Sequence, residues 1–187
     1  LFLLMLRYLN NNPRVKYLNI RPENILKGRI LNIGLESDFD IVIMNSVIHS
    51  FYDLNYLRMV LRKCVGLMKD RGYLFVGDVM DQRLGKNLAA ELADFNRANS
   101  DKKYRTRTDF STTLFVHREF FEDLTVEIPA CKTVKFSRKI YTIENELTKF
   151  RYDVLMEVDK RSMPMGNQKT GMHRPTPHKH KYQLDLR

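Results

Sequence analysis

Residues 39–51 constrain the fold of this chain more than any other stretch. Their sequence, FDIVIMNSVIHSF, is an apolar run that changes abruptly to small and polar residues and leads directly into a helical pattern. A buried parallel strand that ends at a ligand crevice has this form. Because open α/β sheets bind ligands beyond the carboxyl ends of such strands, we expect the chemistry of the protein between Asn45 and Phe51.

The residues after this strand predict a β-α-β unit. Asp53 is a suitable N-cap, and apolar residues recur at helical spacing up to residue 68, with residues 70–72 as the end of the helix. Residues 73–79 then predict a second buried strand. A right-handed crossover makes the two strands parallel, which brings Asp78 to the sheet edge where the first strand ends.

Two strand-like segments, residues 132–141 and 147–158, close the predicted sheet. Only residues 142–146 separate them, too few for a crossover helix. The pair must therefore be antiparallel.

The remaining segments give weaker patterns. Residues 1–10 are rich in leucine and predict the end of a buried helix, whereas residues 14–20 alternate like a strand. Helices are also predicted over residues 84–95 and 113–124, with a polar surface loop between them.

The net charge of +10 does not indicate a nucleic-acid-binding domain, because half of it lies in one segment. Residues 159–187 contain seven basic and two acidic residues, a balance of +5. We therefore expect one domain, residues 1–158, followed by a basic tail or linker without a specific nucleic-acid partner. A weak metal site in PHKH, residues 177–180, is the less favoured alternative.

Composition also bears on the compartment of the protein. The apolar runs are far shorter than the roughly 20 residues that cross a bilayer, so no membrane association is expected. Cys64 and Cys131 are far apart in sequence and are expected to be reduced, which favours a cytoplasmic location. No Cys/His spacing resembles a zinc site, and no metal is predicted.

Three motifs resemble, in order and spacing, those of class I S-adenosylmethionine-dependent methyltransferases, and more specifically the N-methyltransferase domains embedded in non-ribosomal peptide synthetases. Residues 39–47 (FDIVIMNSV) are similar to the family's fDvVvlNSVvqYF. Residues 75–79 (FVGDV) are similar to fvGDVR, and residues 145–155 (NELTKFRYDVL) to NELtrfRYDVvL. The resemblance extends over residues 14–158.

This resemblance implies a fold, a cofactor and a reaction. The fold is a Rossmann-like α/β sheet, mostly parallel with a C-terminal antiparallel hairpin. The cofactor is S-adenosylmethionine, and the reaction is methyl transfer to the amine of a carrier-bound aminoacyl or peptidyl substrate. Neighbouring synthetase domains are the implied partners.

The resemblance also implies a set of cofactor-binding residues. Asn45, Ser46 and Val47 correspond to the segment that approaches the methionine part of the cofactor, largely through backbone groups. Glu23 and Asn24 correspond to the turn near the adenine. The structural alternatives are a helix cap for the first group and a solvated turn for the second.

His49 and Glu146 are the candidate catalytic residues. His49 lies one helical turn beyond the end of the central strand, where related carbon-methylating domains have a histidine as a proposed base. Glu146 lies in the predicted turn at the same sheet edge, where it would attract a substrate ammonium or accept its proton. In-line methyl transfer depends more on positioning than on a strong base.

Phe51, Asp78 and Asn145 are the candidate substrate-binding residues, since they lie in or beside the same three motifs. Asp78 is also suited to capping the helix that follows it. Arg151 and Asp153 alternate with apolar residues and predict an ion pair on one face of the sheet.

The chain also departs from the family. Its 187 residues contain neither the glycine-rich loop that cradles the cofactor nor the acidic residue that binds the ribose, so the predicted fold is incomplete at the N-terminus. The family's strand order, 3-2-1-4-5-7-6, would leave the edge of the central strand in need of cover. We expect this polypeptide alone not to bind S-adenosylmethionine measurably.

Two alternatives to N-methylation remain open. The first is carbon methylation of a thioester or thiazoline intermediate, which an essential His49 would favour. The second is a catalytically silent, methyltransferase-like scaffold module.

Overall fold

A computed structural model describes residues 2–9, 12–18 and 39–161, and one six-stranded mixed sheet organises them in the order β2-β1-β3-β4-β6-β5. The strands are β1 (Phe2–Leu9), β2 (Asn12–Leu18), β3 (Phe39–Asn45), β4 (Met68–Met80), β5 (Cys131–Arg138) and β6 (Arg151–Asp159). The helices are α1 (Leu54–Leu67), α2 (Gly85–Ala98), α3 (Arg118–Glu127) and the short α4 (Glu146–Lys149). Short 3₁₀ turns occur at Ile48–Ser50 and Gln82–Leu84.

The predicted β-α-β unit is confirmed. β3 and β4 are parallel neighbours, and the Asp53 carboxylate caps α1 by accepting a hydrogen bond from the Tyr56 amide at 2.7 Å. β4 begins at Met68, before the predicted end of the helix. Gly72 does not stop the helix; it lies within β4, where an added Cβ would collide with the main chain of Asp40.

The predicted C-terminal antiparallel pair is also confirmed. β6 lies between β4 and β5 and is antiparallel to both. The prediction that this strand begins at residue 147 is wrong, however, because Asn145 caps helix α4 there. Its side chain accepts hydrogen bonds from the amides of Leu147 and Thr148, while the Thr148 hydroxyl accepts one from the Asn145 amide.

The N-terminal prediction of a helix over residues 1–10 is wrong, since Phe2–Leu9 forms strand β1. This strand pairs antiparallel with both β2 and β3. It thereby covers the edge of β3 that the sequence left in need of a neighbour. Pairing the backbone groups of that edge outweighs the helical preference of a leucine-rich segment.

The strand order identifies the fold. β3-β4-β6-β5 corresponds to the run 4-5-7-6 of the class I order, with β3 and β4 parallel and the last pair antiparallel. Over the described residues, the predicted Rossmann-like fold class, with only part of the class I strand order, is confirmed. The β1–β2 hairpin lies on the side of β3 where that order would continue with further parallel strands.

The main hydrophobic core packs α1 and α3 against β3, β4 and β6. A smaller cluster of Met80, Leu88 and Phe150 anchors α2 near the carboxyl end of β4. Both cysteines are buried free thiols, and burial raises the pKa of Cys64 to about 12 and that of Cys131 to about 11. In the part of the chain that the structure describes, no helix is long and apolar enough to cross a bilayer.

Candidate active site

Two residues with left-handed backbone conformations mark the edge where β3 and β4 end. Ser46 follows β3 with φ of 55°, and Asp78 lies near the end of β4 with φ of 60°. Such values are uncommon outside glycine and concentrate at functional sites. The Ser46 hydroxyl donates a hydrogen bond to the Asp78 carboxylate, and the Ser46 amide donates one to the Gly77 carbonyl at 3.2 Å. The structure therefore links two of the predicted site residues directly.

The other residues at the end of β3 divide into exposed and buried groups. Asn45 is exposed, and its side chain lies across Gly77, where an added Cβ would overlap the amide oxygen. Val47 is buried in the main core. The side chains of Asn45 and Ser46 are therefore accessible at this turn, whereas the side chain of Val47 is not.

Asp78 is held by a network of charged groups. Lys139 Nζ lies 2.6 Å from a carboxylate oxygen of Asp78 and 2.6 Å from one of Asp153. Burial alone would raise the pKa of Asp78, but hydrogen bonds from Lys139 and Ser46, together with the charge of Arg151, outweigh it and hold the pKa below its ordinary value. Asp78 is therefore a carboxylate at neutral pH.

His49 lies in the 3₁₀ turn after β3 and is half-buried. Its Nδ1 atom is buried and has no hydrogen-bond partner among the described residues. Burial lowers the pKa of His49, and the positive charge of Arg151 lowers it further, while Asp78 and Glu146 oppose this shift. The imidazole is therefore neutral at pH 7 and able to accept a proton.

Glu146 begins α4 and pairs with Arg151 rather than standing alone. The distance from Glu146 Oε1 to Arg151 Nη2 is 2.7 Å, and the Arg151 side chain is only 12% exposed. The predicted pairing of Arg151 with Asp153 is therefore wrong. Residues from the β5–β6 connection, Glu146 and Lys139, reach these two side chains instead.

In the structure, Asn145 caps a helix and Phe51 packs in the core. The Asn145 side chain is engaged as the N-cap of α4. The Phe51 side chain is buried, and its ring meets that of Tyr56 edge-on with centroids 5.0 Å apart. The substrate contacts assigned to these two residues stay predictions.

Glu23, Asn24 and residues 162–187 lie outside the described residues, so the adenine-side contacts and the basic tail stay predictions as well. β6 continues to Asp159, the first residue assigned to the tail. Within the described ranges no cluster of His, Cys, Asp or Glu side chains has the arrangement of a metal site.

Sequence reasoning missed Lys139. A single lysine directly after a strand carries no pattern of its own. Its role depends on the register of β5 with β6, in which Ser137 lies opposite Asp153 and Lys139, two residues later, reaches Asp153 diagonally. The predicted antiparallel hairpin was the one feature of the sequence that could have indicated this role of Lys139.

Three curated proteins are similar in sequence to this chain. Chondramide synthase cmdD of Chondromyces crocatus is 30% identical over 126 residues, 64% of this chain and 3% of that protein. The probable non-canonical nonribosomal peptide synthetase CymA of Salinispora arenicola is 34% identical over 123 residues, 63% of this chain and 2% of that protein. Cyclosporin synthetase simA of Tolypocladium inflatum is 26% identical over 144 residues, 72% of this chain and 1% of that protein.

Two solved structures are also similar, at low identity. A SAM-dependent methyltransferase from Methanosarcina mazei has a TM-score of 0.42 and 12% identity, covering 67% of this chain and 60% of that one. An O-methyltransferase family protein from Burkholderia thailandensis has a TM-score of 0.42 and 18% identity, covering 75% and 35%. No protein-family profile matches the chain.

The resemblance predicted from the three motifs is confirmed by the sequence relatives. The chain is similar to short segments of peptide synthetases, and it spans at most 3% of the length of the curated relatives described above.

Proposed function

We propose that this chain, similar to peptide-synthetase segments and folded as an incomplete class I methyltransferase, contributes to methyl transfer from S-adenosylmethionine in non-ribosomal peptide synthesis. The acceptor is the amine of a carrier-bound aminoacyl or peptidyl group. One observation carries the proposal: the exposed turn at Asn45 and Ser46 meets the carboxylate of Asp78 at the carboxyl edge of two parallel strands. Ligands of open α/β sheets bind at this edge.

The cofactor contacts follow from the exposed groups at the end of β3. S-adenosylmethionine, when bound, supplies an electrophilic methyl group on its sulfonium. The side-chain amide of Asn45 and the main chain around Ser46 offer donors and acceptors for its methionine portion, since both residues are exposed. Val47 would contribute main-chain atoms only. Glu23 and Asn24 stay the proposed adenine contacts.

The acceptor amine must lose its proton before its lone pair can attack. His49 is suited to taking that proton, because its imidazole is neutral and only half-buried. The carboxylates of Asp78 and Glu146 are suited to attracting and orienting the substrate ammonium. Holding the amine in line with the methyl carbon supplies much of the rate enhancement.

The partners in this proposal are a carrier protein that presents the aminoacyl group and the neighbouring domains of a synthetase, in the cytoplasm. The support is the sequence similarity to three peptide synthetases. No nucleic-acid or membrane partner is proposed.

The test is a transfer assay with the complete gene product that contains these residues. The protein is incubated with S-adenosylmethionine carrying a deuterated methyl group and with an aminoacyl-loaded carrier protein. The released amino acid is then fragmented in a mass spectrometer. We expect the label on the α-amine.

The same assay separates the alternatives. Label on the α-carbon, together with complete loss of transfer in His49→Gln, would make the protein a C-methyltransferase. If the complete gene product neither transfers the methyl group nor binds S-adenosylmethionine by calorimetry, the silent scaffold module is the remaining alternative.

A further inference from the structure

We propose that Lys139 is a positioning residue of the candidate site, which acts through Asp78 rather than on the substrate. The proposal concerns the geometry of the sheet edge, and its consequence for catalysis rests on the proposed methyl transfer. Lys139 lies directly after β5. It belongs to none of the three motifs that resemble the methyltransferase family.

Lys139 joins two strands through their carboxylates. Its Nζ atom lies 2.6 Å from Asp78 in β4 and 2.6 Å from Asp153 in β6, and each of the three side chains is 20% exposed or less. Two carboxylates this close to one another repel when both are ionised, and one of them then tends to take up a proton. The ammonium of Lys139 allows both to stay charged.

The backbone at Asp78 depends on the same network. The pairing of β4 with β6 shifts register between Val76 and Val79, so Asp78 lies in an irregularity of the ladder. The Asp78 amide donates instead to the Asp153 carboxylate at 2.9 Å. A left-handed non-glycine residue is strained and persists only where its surroundings fix it.

The network extends to the cofactor side of the site through Ser46. Its hydroxyl donates to the Asp78 carboxylate, and its amide donates to the carbonyl of Gly77. Lys139 therefore fixes Asp78, and Asp78 fixes the turn that follows β3. The position of the proposed methionine-binding turn relative to the Asp78 carboxylate, the proposed substrate-binding group, depends on this chain of contacts.

The ionisation of Asp78 reports whether the network is intact. The charged or titratable groups that act on it are Lys139, Asp153, Arg151 and His49. Removing the ammonium of Lys139 leaves burial and the negative charge of Asp153 acting against ionisation. The pKa of Asp78 should then rise.

The experiment has two readouts on the same variants. Lys139→Met removes the ammonium, Lys139→Gln keeps hydrogen-bonding capacity without charge, and Lys139→Arg restores the charge. Lys135→Met is the matched control, because Lys135 is an exposed residue of the same strand. In this chain, the Asp78 carboxylate is titrated by carbon-detected NMR. In the complete gene product, kcat, KM for the loaded carrier and Kd for S-adenosylmethionine are measured.

We expect Lys139→Met and Lys139→Gln to raise the Asp78 titration midpoint by about one pH unit or more, as loss of an adjacent opposite charge does. Lys139→Arg should restore it at least in part, and Lys135→Met should leave it unchanged. In the complete gene product, kcat should fall on the order of 100-fold, as small misplacements at a reacting centre cause. KM should change far less.

Two results would overturn the proposal. One is an unchanged Asp78 midpoint in a folded Lys139→Gln protein. The other is an equal loss of kcat in Lys139→Arg and Lys139→Met that follows their loss of stability, because a merely structural lysine would give that result. If the wild-type protein transfers no methyl group, the proposed function fails, and the Asp78 titration still decides whether Lys139 controls this carboxylate.

Discussion

The carboxylate of Glu146 accepts a hydrogen bond from the guanidinium of Arg151 at 2.7 Å, which ties the start of α4 to the start of β6. Burial lowers the pKa of His49, the same guanidinium lowers it further, and Glu146 opposes that shift. The pair therefore sets the charge around a half-buried imidazole. Glu146 is thus both the partner of Arg151 and a candidate for orienting the substrate ammonium.

Glu146→Gln should slow methyl transfer more than it weakens cofactor binding. The amide can still accept a hydrogen bond from Arg151, but the negative charge that attracts the substrate ammonium is lost. In the complete gene product we expect kcat to fall on the order of 100-fold, at the lower end of what a single positioned catalytic group contributes. Kd for S-adenosylmethionine, measured by calorimetry, should stay nearly the same.

The matched control for this change is Glu144→Gln, since Glu144 is an exposed carboxylate two residues earlier that pairs with Lys149 at 3.4 Å. It should leave kcat unchanged. Equal loss of kcat and of cofactor affinity in Glu146→Gln would place Glu146 away from the substrate.

His49 should make the stability of the chain depend on pH. Its pKa in the folded state is lower than its ordinary value of 6.5. As pH falls below 6.5, the unfolded chain takes up a proton that the folded chain does not, so the free energy of unfolding decreases until the folded pKa is passed. Above 6.5 this contribution is constant.

The measurement compares urea unfolding of the wild type and His49→Gln at about pH 7.5 and about pH 5.5. We expect the wild type to lose more stability than the variant over this interval. Identical losses in the two proteins would mean that His49 titrates alike in the folded and unfolded chains.

Gly77→Ala should disturb the site directly. The new methyl group would overlap the side-chain oxygen of Asn45, which must then move off the strand. Overpacking of this kind destabilises by about 1–3 kcal/mol. A shift in the Asn45 side-chain amide resonances and a lower urea midpoint would report both effects.

Gly66→Ala is the matched control for that substitution, because Gly66 lies in α1 and an added Cβ meets nothing within 4 Å. Replacing a helical glycine by alanine should stabilise the chain by about 0.5–1 kcal/mol. Similar destabilisation by both substitutions would argue that Asn45 does not pack on Gly77.

Tyr152→Phe should destabilise the fold through one buried hydrogen bond. The Tyr152 hydroxyl donates to the Val116 carbonyl at 2.9 Å, while the aromatic ring lies under the Arg118 guanidinium at 5.1 Å. The substitution removes the hydroxyl and keeps the ring contact. We expect the free energy of unfolding to fall by about 1–2 kcal/mol.

Tyr73→Phe serves as the control, since Tyr73 lies in β4 with 46% of its surface exposed. Its hydroxyl is accessible to water, so its removal should change stability by less than about 0.5 kcal/mol. Equal effects of the two substitutions would show that the bond to Val116 adds nothing to stability.

The periodic parts of the sequence were the predictable ones. The apolar run that ends at Asn45 and the capped helix after Asp53 predicted a parallel pair, and the structure has it. The antiparallel pair is also present, although residues 139–150 with α4, and not residues 142–146, connect β5 to β6. These patterns depend on local spacing, which a single sequence records. The fold class and the sheet edge of the candidate site followed from them.

Local secondary-structure propensity led to wrong predictions where strand pairing or helix capping decided the outcome. The leucine-rich N-terminal segment predicted a helix and forms β1, because the unpaired edge of β3 is satisfied by a strand and not by a helix. Residues 147–149 predicted a strand and form part of α4, because Asn145 caps them.

Local patterns were enough to predict a buried strand that ends at Asn45 and Ser46, with Asp78 at the same edge. Which charges meet at that edge depends on the tertiary structure. Lys139 joins Asp78 to Asp153 because the irregularity in the β4–β6 ladder and the register of β5 with β6 bring these residues, distant in sequence, within hydrogen-bonding reach. Glu146 and Arg151, by contrast, are only five residues apart. Ion pairs between separate strands depend on that register, and sequence spacing alone does not encode it.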